Sequence, residues 1–240
     1  MSSGNFLTIG SVFYSLLLIT VFFSKKRLKT LENKIYSMLI ICNFIGLILA
    51  IMCYYTVLYN DIVPMLNFII SRLYLIYLVS YIFLFFCYLI TGLYTEDDKL
   101  TGKIKKFFIS ITFIFFVIVL LVYYLPLYYH NENMIIYSYG PSANIIYFLA
   151  TVCMTIWTIL LIKNYKKVKN KKFWPIVFFI IGSLIVTIVQ KNNPGLLLMT
   201  SFETFITIIM YFTIENPDTK MLEEVHRAKV ISDNANEEKT

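Results

Sequence analysis

Seven stretches of mostly apolar residues run along the chain at 5–23, 35–58, 66–93, 107–128, 144–162, 173–189 and 195–214, with short polar connections between them. A helix needs about 20 such residues to cross the hydrocarbon core of a bilayer. The pattern therefore predicts an all-α polytopic membrane protein, a seven-transmembrane-helix bundle filling residues 1–214. Composition agrees: 59% of residues are hydrophobic and 15% are charged, outside the range of ordinary soluble domains. The first stretch has no basic residue before it and no small-residue cleavage site after it, so it reads as a span and not as a secretory signal peptide.

Orientation follows from the lysines and arginines, because basic residues near span ends stay on the cytoplasmic side. Of the 21, all but Arg72 and Lys191 fall in the first, third and fifth connections or in the tail. The amino terminus is then outside and the carboxyl terminus inside. A missed or invented helix would scatter the basic loops over both faces, so the alternation also supports the count of seven. The formal charge of +7 comes from these loops, and no nucleic-acid partner is implied.

Past residue 214 the composition turns charged. Pro217 disfavours helical geometry at Asn216, which can cap a new helix that has Pro217 at its first position. Residues 215–240 read as a short cytoplasmic helix. In it Met221, Val225, Ala228, Ser232 and Ala235 follow the 4-3-4-3 spacing of a weak coiled-coil seam, and a homodimer through this helix is the expected assembly.

Catalytic machinery is not visible. The two histidines, His130 and His226, lie outside the spans, which argues against a membrane haem, an intramembrane zinc site and a histidine-based acyl transferase. Cys42, Cys53, Cys87 and Cys153 have no metal-ligand spacing, and the seventh span has no lysine for a retinal Schiff base. No glycine-rich phosphate loop occurs. No cofactor and no metal are expected.

Two charges fall inside spans, Arg72 in the third and Glu203 in the seventh. An isolated charge there costs about 2.5–3.5 kcal/mol on the insertion scale, and such residues are functional candidates by default. Counted from the outer span ends they lie roughly 9 and 12 Å deep at ~1.5 Å per residue, close enough in level to form an ion pair or to line a ligand site together. Asn43 and Asn67 are weaker candidates, read as helix-to-helix hydrogen bonds. Gly46 and Ala50 form a small-xxx-small pair that permits close helix contact. The tyrosines crowding the span ends read as an aromatic belt.

The junction Met210-Tyr211-Phe212-Thr213-Ile214-Glu215-Asn216-Pro217-Asp218, followed by Lys220, Met221 and Leu222, resembles the membrane-to-cytoplasm transition of bacterial sensor histidine kinases. The resemblance covers about thirty residues. It implies the membrane-embedded input module of a two-component system in a bacterial plasma membrane, with Asn216 and Pro217 as the joint that passes the signal to a coiled-coil helix and then to an output domain. His226 lacks the acidic and Arg-Thr-Pro context of a phosphoacceptor, and the chain looks like the sensor half of a kinase without its catalytic half. The abundance of Lys, Ile, Asn, Tyr and Phe, with only five Ala, fits an AT-rich bacterial genome. With outside connections this short, the signal is expected to be a small amphipathic molecule, a short peptide or the bilayer itself. The alternative is a small transporter with Arg72 and Glu203 on its substrate path; a membrane enzyme ranks third.

Topology is directly testable. In a background without the four native cysteines, a cysteine at Asn131 should react with an impermeant reagent in intact cells, and one at Asn170 should not; labelling at Asn170 would reverse the orientation.

Overall fold

The computed structural model describes residues 3–25, 30–94, 102–132, 135–165 and 174–215, together with Leu222, Val225 and Lys229. Six long helices are present: α1 (Ser3–Ser24), α2 (Leu31–Leu58), α3 (Pro64–Tyr94), α4 (Gly102–Tyr124), α5 (Pro141–Lys163) and α6 (Trp174–Asn192). Each contains a stretch long and apolar enough to cross a membrane. The seventh, α7 (Leu198–Met210), is shorter and continues as a π-helical turn, Tyr211–Glu215. The joint expected at Asn216 and Pro217, and the coiled-coil seam as a whole, lie outside the described residues.

Local signals set the helix ends. The Thr30 hydroxyl accepts from the Asn33 amide at 3.2 Å and caps α2, with Glu32 in the first turn where the helix dipole favours an acid. Pro64 and Pro141 open α3 and α5 at a position where the missing N–H costs nothing. Helix α4 stops at Tyr124, four residues earlier than its hydropathy predicts, because Pro126 follows and the chain turns into a hairpin. That hairpin is the main departure from an all-helical reading. Strands β1 (Tyr128–Glu132) and β2 (Ile135–Tyr139) pair antiparallel, with Tyr128 opposite Tyr139 and His130 opposite Tyr137. Gly140, at φ 119°, turns the chain from β2 into α5 in a conformation that glycine adopts freely.

Helix α3 is the centre of the bundle. In its apolar stretch 67% of residues are buried inside the protein, against 6% for α4, which lies at the edge against α3 and α5. Helix α2 packs along α3, α1 packs on α2 and α7, and α6 joins α5 to α7. An aromatic group of Phe85, Trp157 and Phe179 ties α3, α5 and α6 together, with ring centroids 4.2–5.7 Å apart. Large apolar side chains such as Phe13, Phe113, Phe116, Phe148 and Ile162 are exposed around the outside. So much exposed apolar surface is unfavourable in water and suits a hydrocarbon surround.

The hairpin and the connections after α2 and α6 gather at one end of the bundle. The Asn131 amide donates to the Leu58 carbonyl at 3.0 Å, and the Ile135 side chain packs over Gly195. These are the three connections that are poor in basic residues.

At Gly46 the close contact between α2 and α3 is made by a side chain of α3. A Cβ placed on this glycine would run into the ring of Tyr77, so the missing side chain is what lets that tyrosine lie across α2. Gly46→Val should therefore destabilise the protein by about 1–3 kcal/mol through overpacking, seen as a lower thermal midpoint in detergent. The same change combined with Tyr77→Ala should cost less than the two singly, and Gly10→Ala, which meets open space, should be neutral or mildly stabilising.

Candidate ligand site

Helices α3 and α7 are joined by tyrosines that span the distance between them. Tyr74, Tyr77 and Tyr81 recur at the i, i+3, i+7 spacing of one helix face, and Thr200, Glu203, Thr204 and Thr207 form the matching stripe on α7. The Tyr74 hydroxyl lies 3.1 Å from the Thr200 hydroxyl, and Tyr77 donates to the Glu203 Oε2. Tyr81 sits 3.1 Å from the Thr207 hydroxyl and 3.2 Å from the Glu203 carbonyl. From α2, the Tyr36 hydroxyl donates to the Thr207 carbonyl at 2.6 Å, and Asn43 Oδ1 accepts from Thr204 at 2.9 Å. All of these side chains are buried. The ladder gives each of its tyrosine and threonine hydroxyls a partner within an otherwise apolar interior.

Beside the ladder lies a cavity of about 580 Å³, enclosed by α2, α3, α5, α6, α7 and the hairpin. Its walls are largely aliphatic and aromatic, with Ala50 and Tyr54 from α2, Tyr74 and Leu78 from α3, and Ala143, Tyr147 and Ala150 from α5. Ile136–Tyr139 of β2 cover it, and Gln190 and Lys191 line it at the end of α6. Glu203 reaches it from α7, five residues, or roughly 7.5 Å, along that helix from its first residue. Leu197, which precedes α7 and also lines the cavity, has φ 37°. A left-handed conformation costs a branched residue roughly 1–2 kcal/mol, so strain is held at the cavity wall. This volume and this mix of apolar wall with few polar groups are those of a small-molecule pocket.

Arg72 and Glu203 do not meet. Arg72 donates through Nη2 to the Leu125 carbonyl at 3.2 Å, and its guanidinium lies over the Phe68 ring at 4.2 Å and within 6.0 Å of the Tyr123 centroid. Among the described residues no ion pair joins it to Glu203, whose partner is Tyr77. The expected pairing rested on depth alone. Tyr77 is five residues beyond Arg72, which at about 100° per residue turns the arginine roughly 140° away from α7. It faces the end of α4, outside the cavity lining. Asn43 does bridge two helices, while Asn67 donates to Asn60 at 2.7 Å and accepts from Ser71 at 2.9 Å within its own region.

In the sequence Tyr74, Tyr77 and Tyr81 are hidden by the abundance of tyrosine at nearly every span end. The signal was present in a comparison of two spans: tyrosines at helical spacing on one, threonines and an acid at the same spacing on the other.

The fold and cavity define a predominantly helical protein with, among the described residues, six helices long and apolar enough to cross a membrane and a pocket at its hairpin end. No protein-family model, no curated protein and no solved structure matches the chain.

Hydrogen bonds to a buried carboxylate are worth about 1.5–3 kcal/mol, and loss of one partner leaves the other exposed to its full desolvation cost. Tyr77→Phe should lower stability by that order, and a cycle with Glu203→Leu should show coupling. Arg72→Met and Glu203→Leu should instead add within about 0.5 kcal/mol, since they share no partner; denaturation of the single and double variants measures both.

Proposed function

We propose that this chain is the membrane-embedded input module of a bacterial sensor histidine kinase. Its seven helices cross the plasma membrane with the amino terminus outside, and it detects a small amphipathic ligand in the cavity beneath the hairpin. The observation that carries the reading is that α7 both lines the cavity, through Glu203, and runs through its π-helical turn towards the Ile214-Glu215-Asn216-Pro217-Asp218 junction. One helix thus touches the ligand site and leads to the output.

The convergence of the three lysine-poor connections at the hairpin end favours that end as the outer face. Helix α7 with its π-turn is then the seventh span. It is short for a bilayer of about 30 Å, and it lies among longer neighbours, where local thinning or partner helices accommodate it. The tyrosine ladder supports a mechanism: movement of Glu203 is felt by Tyr77 and Tyr81, and through Thr207 by Tyr36 on α2. Further along the sequence, Pro217 has no N–H to donate to the Thr213 carbonyl, and on that sequence feature the reading places a joint whose angle differs between two states. Paired cytoplasmic helices of a homodimer would carry that difference onward.

A transporter with Arg72 and Glu203 on one path fits less well, because only Glu203 lines the cavity.

The test joins the chain to a kinase output domain. Wild type should change its autophosphorylation when the cavity is filled, and Pro217→Ala should lock or uncouple the output with membrane insertion intact. Output that is indifferent to Pro217→Ala and to Ala150→Trp, which plugs the cavity, would overturn the sensor reading.

A further inference from the structure

The cavity contains one acid for which the described residues supply no cation partner. Glu203 is 1% exposed, Tyr77 holds its Oε2, and among the described residues no hydrogen bond reaches Oε1 and no cation pairs with it. Arg72 is turned to the α4 end and bonded there. The single cation lining the cavity among the described residues is Lys191, an exposed residue one position from the end of α6. An unpaired carboxylate among apolar helices is costly, and a bound group that brings both a positive charge and an N–H donor relieves that cost.

The surrounding wall is suited to such a group. Tyr54, Tyr74 and Tyr147 line the same space, and tyrosine faces attract ammonium ions once both are out of water. Leu75, Leu78, Ile82 and Ala150 give the wall apolar stretches that suit a hydrocarbon body, while Asn144, Thr151, Thr187 and Gln190 are neutral and supply no counter-charge. The positive charge of Lys191 disfavours a second cation near it, so a ligand with one ammonium enters head first towards Glu203 and leaves its apolar body between floor and rim. We infer that the cavity binds a cationic amphiphile, an aliphatic or aromatic amine with an apolar body, whose ammonium group is held by Glu203. This rests on the reading of the cavity as the ligand site, and it adds the chemical class of the ligand.

The experiment uses the full chain in detergent and three probes of one shape: 4-phenylbutylamine, 4-phenylbutanol and 4-phenylbutyrate. Binding is read by ligand-observed NMR and by the shift in thermal midpoint. The amine should bind at least tenfold tighter than the alcohol and the carboxylate, and N-acetylation of the amine, which keeps an N–H and removes the charge, should reduce it to the level of the alcohol. Glu203→Gln should bring amine and alcohol within about threefold of each other, and Ala150→Trp should weaken all three. If Glu203→Gln does not accumulate, the acetylated probe on wild type decides the matter. Equal binding of amine and alcohol to wild type, with loss of both in Ala150→Trp, would overturn the amine inference and leave the cavity as a ligand site. Absence of binding by all three would overturn both.

Discussion

The carboxyl group of Glu203 sets conditions that spread through half of the bundle. Placed in an apolar interior, it needs a donor, and Tyr77 on α3 supplies one. The tyrosine ring can lie there only because α2 has glycine at position 46. Tyr81, one turn further along α3, reaches the backbone and hydroxyl groups of α7, and Tyr36 on α2 reaches the same turn. Each contact fixes the rotation of a helix, so α2, α3 and α7 are registered by directional bonds. Dispersion between lipid-like side chains is nearly indifferent to rotation, and directional bonds are how membrane helices acquire a unique register.

The cavity follows from the same choice. Tyrosines used as struts hold α3 and α7 farther apart than small residues would, and space remains beside them. Helix α5 and the hairpin close that space without filling it, and Ile136 of β2 packs inward as part of the cover. A pocket and a hydrogen-bonded register are in this sense one structural decision. The strained Leu197 and the 3-10 turn before it lie where α6 passes to α7, and Leu197 forms part of the cavity wall.

The helical layout was legible because hydropathy and length decide it: six of seven predicted stretches became long helices with ends displaced by a few residues. The ends were set by capping residues and prolines, as at Thr30 and Pro126, which hydropathy averages away. The seventh stretch begins later than predicted, because Pro194–Leu196 form a 3-10 turn before α7. The hairpin was not anticipated, since Tyr128–Tyr139 carries no clear turn pair and its strands gain stability by covering the bundle. For the site, type was readable and partnership was not. Glu203 stood out as an acid within an apolar stretch, while its partner was decided by rotation about the α3 axis, which excluded Arg72 and chose Tyr77. Sequence depth gives one coordinate of a contact; helix phase gives the other, and it becomes available only when two polar stripes are matched.

Helix α4 has a different standing. With 6% of its apolar stretch buried, it meets the bundle along one stripe, Phe108, Ile111, Phe115, Ile118, Val119 and Val122, and its other side chains answer to the surrounding medium. On that outer side its identity is prescribed by hydrophobicity and length, not by shape. Over evolutionary time such a segment is free to exchange Phe, Ile, Leu and Val at Phe113, Phe116 and Leu120 with little selective resistance, while Tyr77 and Gly46 are not. Divergent descendants of this chain would then be recognisable by α2, α3 and α7 and would have an α4 whose ancestry has been erased.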